Sequence, residues 1–204
     1  MCVIAASPIG IRQPNQTELR AMWDANPHGA GYMYARDGKV TIHKGFMNFS
    51  EFSRAVSMEN FSAADPVVYH FRISTQAGIN PEMTHPFPLT ANKKLHMALD
   101  LTCSIGIAHN GIIALTSDRT EQTYSDTSLF IARFMTKLIR NRRDVDNPDV
   151  LQMIYRLACS KFCILTGDGA IKTIGNFTEH NGILLSNENH MHTWTTIRDL
   201  HPAM

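Results

Sequence analysis

No apolar run in this sequence approaches the roughly 18 to 20 residues that a membrane-crossing helix needs; the longest are strand-sized. No membrane partner is therefore expected. An excess of one charge is also missing. Nineteen Lys and Arg oppose 18 Asp and Glu, for a formal net charge of +1, so no basic field exists to gather nucleic acid or an acidic membrane surface. The first residues lack a basic stretch, no small-residue cleavage site follows them, and position 2 is not the glycine that myristoylation requires. Cysteine is scarce: Cys2, Cys103, Cys159 and Cys163 are too few and too unevenly spaced for a disulfide framework. A reducing, cytoplasmic setting is expected. Cys159 and Cys163, with His190 and His192, offer zinc-type ligands, but their spacing is not the usual Cys-x-x-Cys knuckle and no second thiol pair answers it. The expected reading is buried apolar cysteines and no metal.

What is present describes an ordinary folded chain. Apolar residues make up 44% and charged residues 18% of 204, enough to close one core, and no linker, repeat or low-complexity segment divides the chain. A single domain over 1–204 is expected. Cys2 to Ser7 is β-branched and small, a first strand. Asn15 and Glu18 stand at capping-box spacing before Leu19, Met22 and Trp23, which predicts a short helix over 15–23. Two runs rich in Tyr, Val and Ile flank Asp37-Gly38 and predict a hairpin over 30–45. A helix is expected over 50–57, strands over 67–74 and 105–109, and helices over 125–140 and 147–159, the last with Asn147 as cap and Pro148 at its first position. A hairpin around Gly167-Asp168-Gly169 and one more strand close the chain. Strands, then helices, then strands again predict α+β architecture with antiparallel sheets.

Cys2 raises a chemical question, because a thiol becomes a good nucleophile when a base stands beside it. Removal of Met1 would give Cys2 its own α-amino group, already in place. An α-amine has a pKa near 7.7–8.0, so roughly a third is neutral at pH 7.5, against about one part in a thousand for a lysine. Behind Cys2 come His28-Gly29-Ala30-Gly31, the run HFRIST (70–75), THPF (84–87), IAHNG (107–111) and SDTS (125–128). In that order they resemble the class II glutamine amidotransferases, the branch of the N-terminal-nucleophile hydrolases whose glutaminase domain begins at a cysteine. The resemblance extends from Cys2 to about Leu138.

The resemblance implies a four-layer αββα sandwich, two antiparallel sheets flanked by helices. It implies Cys2 as nucleophile, with Asn110 and Gly111 as the oxyanion hole. It also implies that Arg72 receives the α-carboxylate of L-glutamine, and a planar guanidinium suits two parallel hydrogen bonds to a carboxylate. Asp126 matches the acid that receives the α-ammonium. Thr75 and His85 match positions lining the glutamine pocket, and Gly29 and Gly31 match the glycine-rich segment beside the nucleophile. Gly111 is expected to be small so that its backbone can approach substrate. His70 and His109 alternate with apolar neighbours and are expected to be hydrogen-bonded structural residues. The implied reaction hydrolyses the glutamine side-chain amide through a Cys thioester, with no cofactor, and delivers ammonia to solvent or to a separate acceptor synthase subunit. Gln76-Ala77 delays a glycine to Gly78, one residue later than relatives of this type place it. The rival expectations are a same-fold hydrolase of other amides and a catalytically silent partner-binding subunit.

Overall fold

A computed structural model describes residues 2–73, 79–116 and 123–191. Thr75, the Gln76-Ala77-Gly78 stretch with its delayed glycine, Met1 and His192 lie outside the described residues. The chain is α+β with two antiparallel sheets. The first sheet has seven strands in the order β10-β11-β1-β4-β2-β3-β6. Its members are β1 (Val3–Ser7), β2 (Ala30–Arg36), β3 (Lys39–Phe46), β4 (Val67–Phe71), β6 (Asp100–Cys103), β10 (Thr178–His180) and β11 (Ile183–Leu185). The second has four, in the order β5-β7-β8-β9: β5 (Phe87–Pro88), β7 (Ile105–Asn110), β8 (Lys161–Thr166) and β9 (Ile171–Ile174).

Strand alternation explains how the sheets are covered. On one face of the first sheet, Val3, Ala5, Tyr32, Tyr69 and Phe71 meet Leu19, Met22 and Trp23 of α1 (Gln16–Ala25) and Phe52 and Val56 of α2 (Phe49–Met58). The alternate residues Ile4, Ala6, Met33 and Val68 share a cluster with Ala108, Cys163 and Leu165 of the second sheet. The outer face of that second sheet, through Ile107, Phe162 and Ile164, meets Phe130 of α4 (Asp126–Phe130) and Ile154 and Ala158 of α6 (Pro148–Ala158). β1 is therefore buried on both faces, which its unbroken small and β-branched sequence permits.

Local signals place most elements. Asn15 and Glu18 form the reciprocal capping box of α1, and Asn147 caps α6 with Pro148 in its first turn. Asp37 and Gly38 turn the β2–β3 hairpin with φ of 53° and 74°. Three expectations change. The strand over 67–74 ends at Phe71. The helix over 125–140 divides into α4, a wider π-type turn over Ile131–Met135, and α5 (Thr136–Leu138). Phe130, Ile131, Met135 and Ile139 all remain buried across it, so apolar spacing reported the face but not the hydrogen-bond pitch. Third, Cys159 is exposed, because it occupies the left-handed C-cap of α6 at φ 50°. Cys163 is buried between the sheets as expected.

The segment leading to β5 is held by a buried lysine. Lys44 Nζ donates to the carbonyls of Glu82 (2.9 Å) and His96 (2.6 Å) and lies 3.9 Å from the Phe87 ring centre. His96 belongs to the short helix α3 (Lys93–His96). Burial lowers the Lys44 amine from 10.5 to about 7, with Glu82 opposing. Between these values the unfolded chain holds more protons than the folded one, so stability rises with pH across that window. Burial also lowers His85 and His96, His96 to about 4, so neither titrates there. Relative to Lys44→Met, the wild-type unfolding free energy is expected to gain about 2–3 kcal/mol between about pH 6 and about pH 9. Urea titrations of both proteins at the two pH values measure this; a constant difference would mean that the amine is hydrated.

Candidate active site

Cys2 stands immediately before β1, and the antiparallel register pairs Val3 with Phe71. The chain leaving β4 therefore arrives beside the thiol. Ile73 N–H donates to Cys2 Sγ at 3.4 Å, and Sγ in turn lies 3.6 Å from the Ile73 carbonyl. Asn187 Nδ2 donates to the Cys2 carbonyl from the segment after β11. Burial pushes the Cys2 thiol up from 9.0, while the Ile73 N–H and the Arg72 charge pull it down without outweighing burial. The thiol thus keeps its proton at neutral pH, and attack by this sulfur requires a base to remove it.

Arg72 directly follows β4 and is only 7% exposed, so it is not the outward strand charge that its apolar neighbours suggest. Its N–H donates to Gly29 O (2.8 Å) and its carbonyl accepts from His28 N (2.9 Å), which extends the β2–β4 ladder past the end of both strands. Desolvation lowers the guanidinium pKa while Cys2 and Asp126 act in the opposite sense. One buried cation is therefore in electrostatic reach of both.

Asp126 opens α4, but Ser125 is the cap, accepting from Ser128 N at 3.1 Å. This frees Asp126 for other partners. Its Oδ2 accepts from Ile113 N (2.8 Å), and Oδ1 accepts from Thr127 N (2.7 Å) and Thr127 Oγ1 (3.3 Å). The loop after β7 is thereby fixed to the start of α4. A carboxylate has about four lone-pair directions, so capacity remains for an ammonium group.

Asn110 ends β7 and is buried. Its Nδ2 lies 2.9 Å from Ser186 Oγ, which also accepts from Ile4 N at 2.9 Å. Its Oδ1 is buried with no partner among the described residues. Gly111 has φ 146°, and a Cβ there would fall 2.1 Å from Ser160 Oγ. The neighbour that demands glycine is thus Ser160, where the sequence suggested only an approaching substrate. Gly31 is required by a close approach too, since a Cβ would meet His85 O at 2.3 Å. Gly29, at φ 115°, abuts Thr84.

His85 is buried against His70, with ring centres 4.3 Å apart. His70 Nε2 donates to His109 O (3.0 Å), while His109 Nδ1 and His85 Nε2 share Thr127 Oγ1 at 2.8 and 3.2 Å. Burial lowers His70 and His109 to about 3 and His85 well below its ordinary value. All three are neutral and too weakly basic to take a thiol proton at neutral pH. His70 and His109 are hydrogen-bonded structural residues, as the sequence suggested.

No protein-family model matches the chain, and no curated protein matches it. The site rests on its own residues. Arg72 is in electrostatic reach of Cys2 and of Asp126, and Asn110 is joined through Ser186 to Ile4 of β1, two residues from Cys2. Thr75 falls outside the described residues. Sequence reasoning overlooked Thr127, Ser186 and Asn187. The last two carried a signal, a polar pair that stops the apolar run of β11. No group of three or more His, Cys, Asp or Glu is placed to hold a metal among the described residues, and no described helix is long and apolar enough to cross a membrane.

Proposed function

We propose that this chain is a glutaminase of the class II amidotransferase type, hydrolysing the side-chain amide of L-glutamine through a thioester on Cys2. The observation that carries the reading is the buried Arg72, within electrostatic reach of a cysteine that precedes the interior strand β1 and of Asp126. A buried cation within electrostatic reach of both a thiol and a carboxylate suits the carboxylate and ammonium of a free α-amino acid. Two antiparallel sheets with helices on their outer faces support the four-layer αββα fold of N-terminal-nucleophile hydrolases.

In this reading Met1 is removed and the new α-amine of Cys2 takes the thiol proton, directly or through water. The raised thiol pKa is what makes an adjacent base necessary. Sulfur attacks the carboxamide carbon, and the oxyanion is held by the Asn110 side chain and the Gly111 N–H. The C–N bond breaks as ammonia leaves with the transferred proton. Water then opens the thioester, releasing glutamate and restoring the thiol. Ammonia passes to solvent or to a separate acceptor enzyme.

The test compares ammonia release from glutamine and from N-acetylglutamine. Acetylation removes the ammonium that Asp126 would receive, so a loss of about 10²-fold or more in kcat/KM is expected, in the range for a site whose buried polar group is left unpaired. Equal rates would favour a hydrolase of other amides. No release from either substrate would favour a silent partner-binding role.

A further inference from the structure

Ser186 Oγ lies 2.9 Å from Ile4 N and 2.9 Å from the Asn110 carboxamide. The Ile4 contact has a fixed sense, because a backbone N–H can only donate. With Asn110 Nδ2 also donating to Oγ, the serine accepts twice and its own proton has no acceptor among the described residues. The same orientation leaves Asn110 Oδ1 as a buried acceptor with no donor. Two needs go unmet, and a buried polar group without its partner is unfavourable.

The two ends of a carboxamide have nearly the same shape, so hydrogen-bond partners decide which end is nitrogen. Turning the amide over meets both needs together. Ser186 Oγ then accepts from Ile4 N–H and donates its proton to Asn110 Oδ1, and the amide NH₂ takes the unpartnered place. What remains unmet is a donor instead of an acceptor. A developing oxyanion supplies what such a donor lacks.

We propose that Ser186 is a positioning residue that fixes the orientation of the Asn110 carboxamide, so that its NH₂ faces the reacting carbonyl. The inference rests on the glutaminase reading for its catalytic consequence and on hydrogen bonding alone for the orientation. Ser186 is held for this task on three sides. Its N–H donates to Ile4 O (3.0 Å), its carbonyl accepts from Lys161 Nζ (2.6 Å), and the next residue, Asn187, donates to the Cys2 carbonyl. Nucleophile strand and oxyanion amide are thus registered against one dipeptide.

Two measurements test it. Neutron diffraction from deuterated crystals of Cys2→Ala separates oxygen from ND₂ at Asn110. Oxygen toward Ser186 is expected, and ND₂ toward Ser186 would overturn the proposal whether or not the protein hydrolyses glutamine. Kinetically, Ser186→Ala is expected to lower kcat about tenfold, part of the effect of losing one oxyanion donor, with KM for glutamine nearly unchanged. Ser186→Thr, which keeps the hydroxyl, should recover more of kcat than alanine does. In an Asn110→Ala background the Ser186→Ala loss should disappear; an equal loss there would show that the serine acts through β1 and not through the amide. If wild type releases no ammonia while the neutron result holds, the glutaminase reading fails and the orientation stands.

Discussion

Cys2→Ala is expected to reduce ammonia release from glutamine by about 10⁴-fold or more, the scale seen when a covalent nucleophile is removed, while the protein stays folded. The two halves of this expectation come from different features. Catalysis goes because an alanine methyl can form no thioester and Cys2 is the one described thiol that acts on the Arg72 charge: Cys163 is buried between the sheets, Cys103 lies on the edge strand β6, and Cys159 lies exposed at the end of α6. The fold survives because the contribution of Cys2 to β1 is largely backbone. The ladder from Val3 to Ser7 against β4 and the Asn187 contact to the Cys2 carbonyl do not involve the thiol. What is lost is the Ile73 N–H to sulfur contact at 3.4 Å and a small buried group, about 1 kcal/mol or less. Coupled ammonia detection and denaturant unfolding on one preparation measure both. Undiminished turnover would remove Cys2 from the chemistry; collapse of the fold would mean that the thiol is structural.

Why a cysteine, an arginine and an aspartate so far apart in sequence are electrostatically coupled depends on register, which no local pattern states. The local parts were legible. The Asp37-Gly38 turn, the Asn15 to Glu18 box and the Asn147-Pro148 start follow from side-chain chemistry within a few residues. The pairing of Val3 with Phe71 does not, since it is set by how β1 is inserted between β4 and β11. Lys44 shows a signal that was present but masked by its charge. It has the same parity as Val40 and Ile42, both fully buried, so strand alternation alone points it inward. Ser186 and Asn187 were hidden for another reason. A polar pair after a short strand reads as a turn, and only the contact of β11 with β1 makes it a clamp.

Gly31→Ala carries the second large effect. Gly31 lies on β2 opposite His70 of β4 and Lys44 of β3. A methyl at this position would fall 2.3 Å from the His85 carbonyl and 2.6 Å from Lys44 Cβ. Neither neighbour yields easily. The Lys44 Nζ is tied to two carbonyls and covers Phe87, while the obstruction at His85 is backbone. Alanine must therefore lift the segment from Thr84 to Phe87 off the sheet, at a cost of about 2–3 kcal/mol, typical of overfilling a close contact. His85 would be drawn away from Thr127, whose N–H and hydroxyl hold Asp126 Oδ1. The ammonium-binding side of the pocket should suffer before the nucleophile does. Glutamine KM is accordingly expected to rise several-fold more than kcat falls, alongside the lowered denaturant midpoint. Unchanged stability would show that the loop rides freely over β2, and a fall in kcat at constant KM would place His85 nearer the thiol than the Thr127 contact implies.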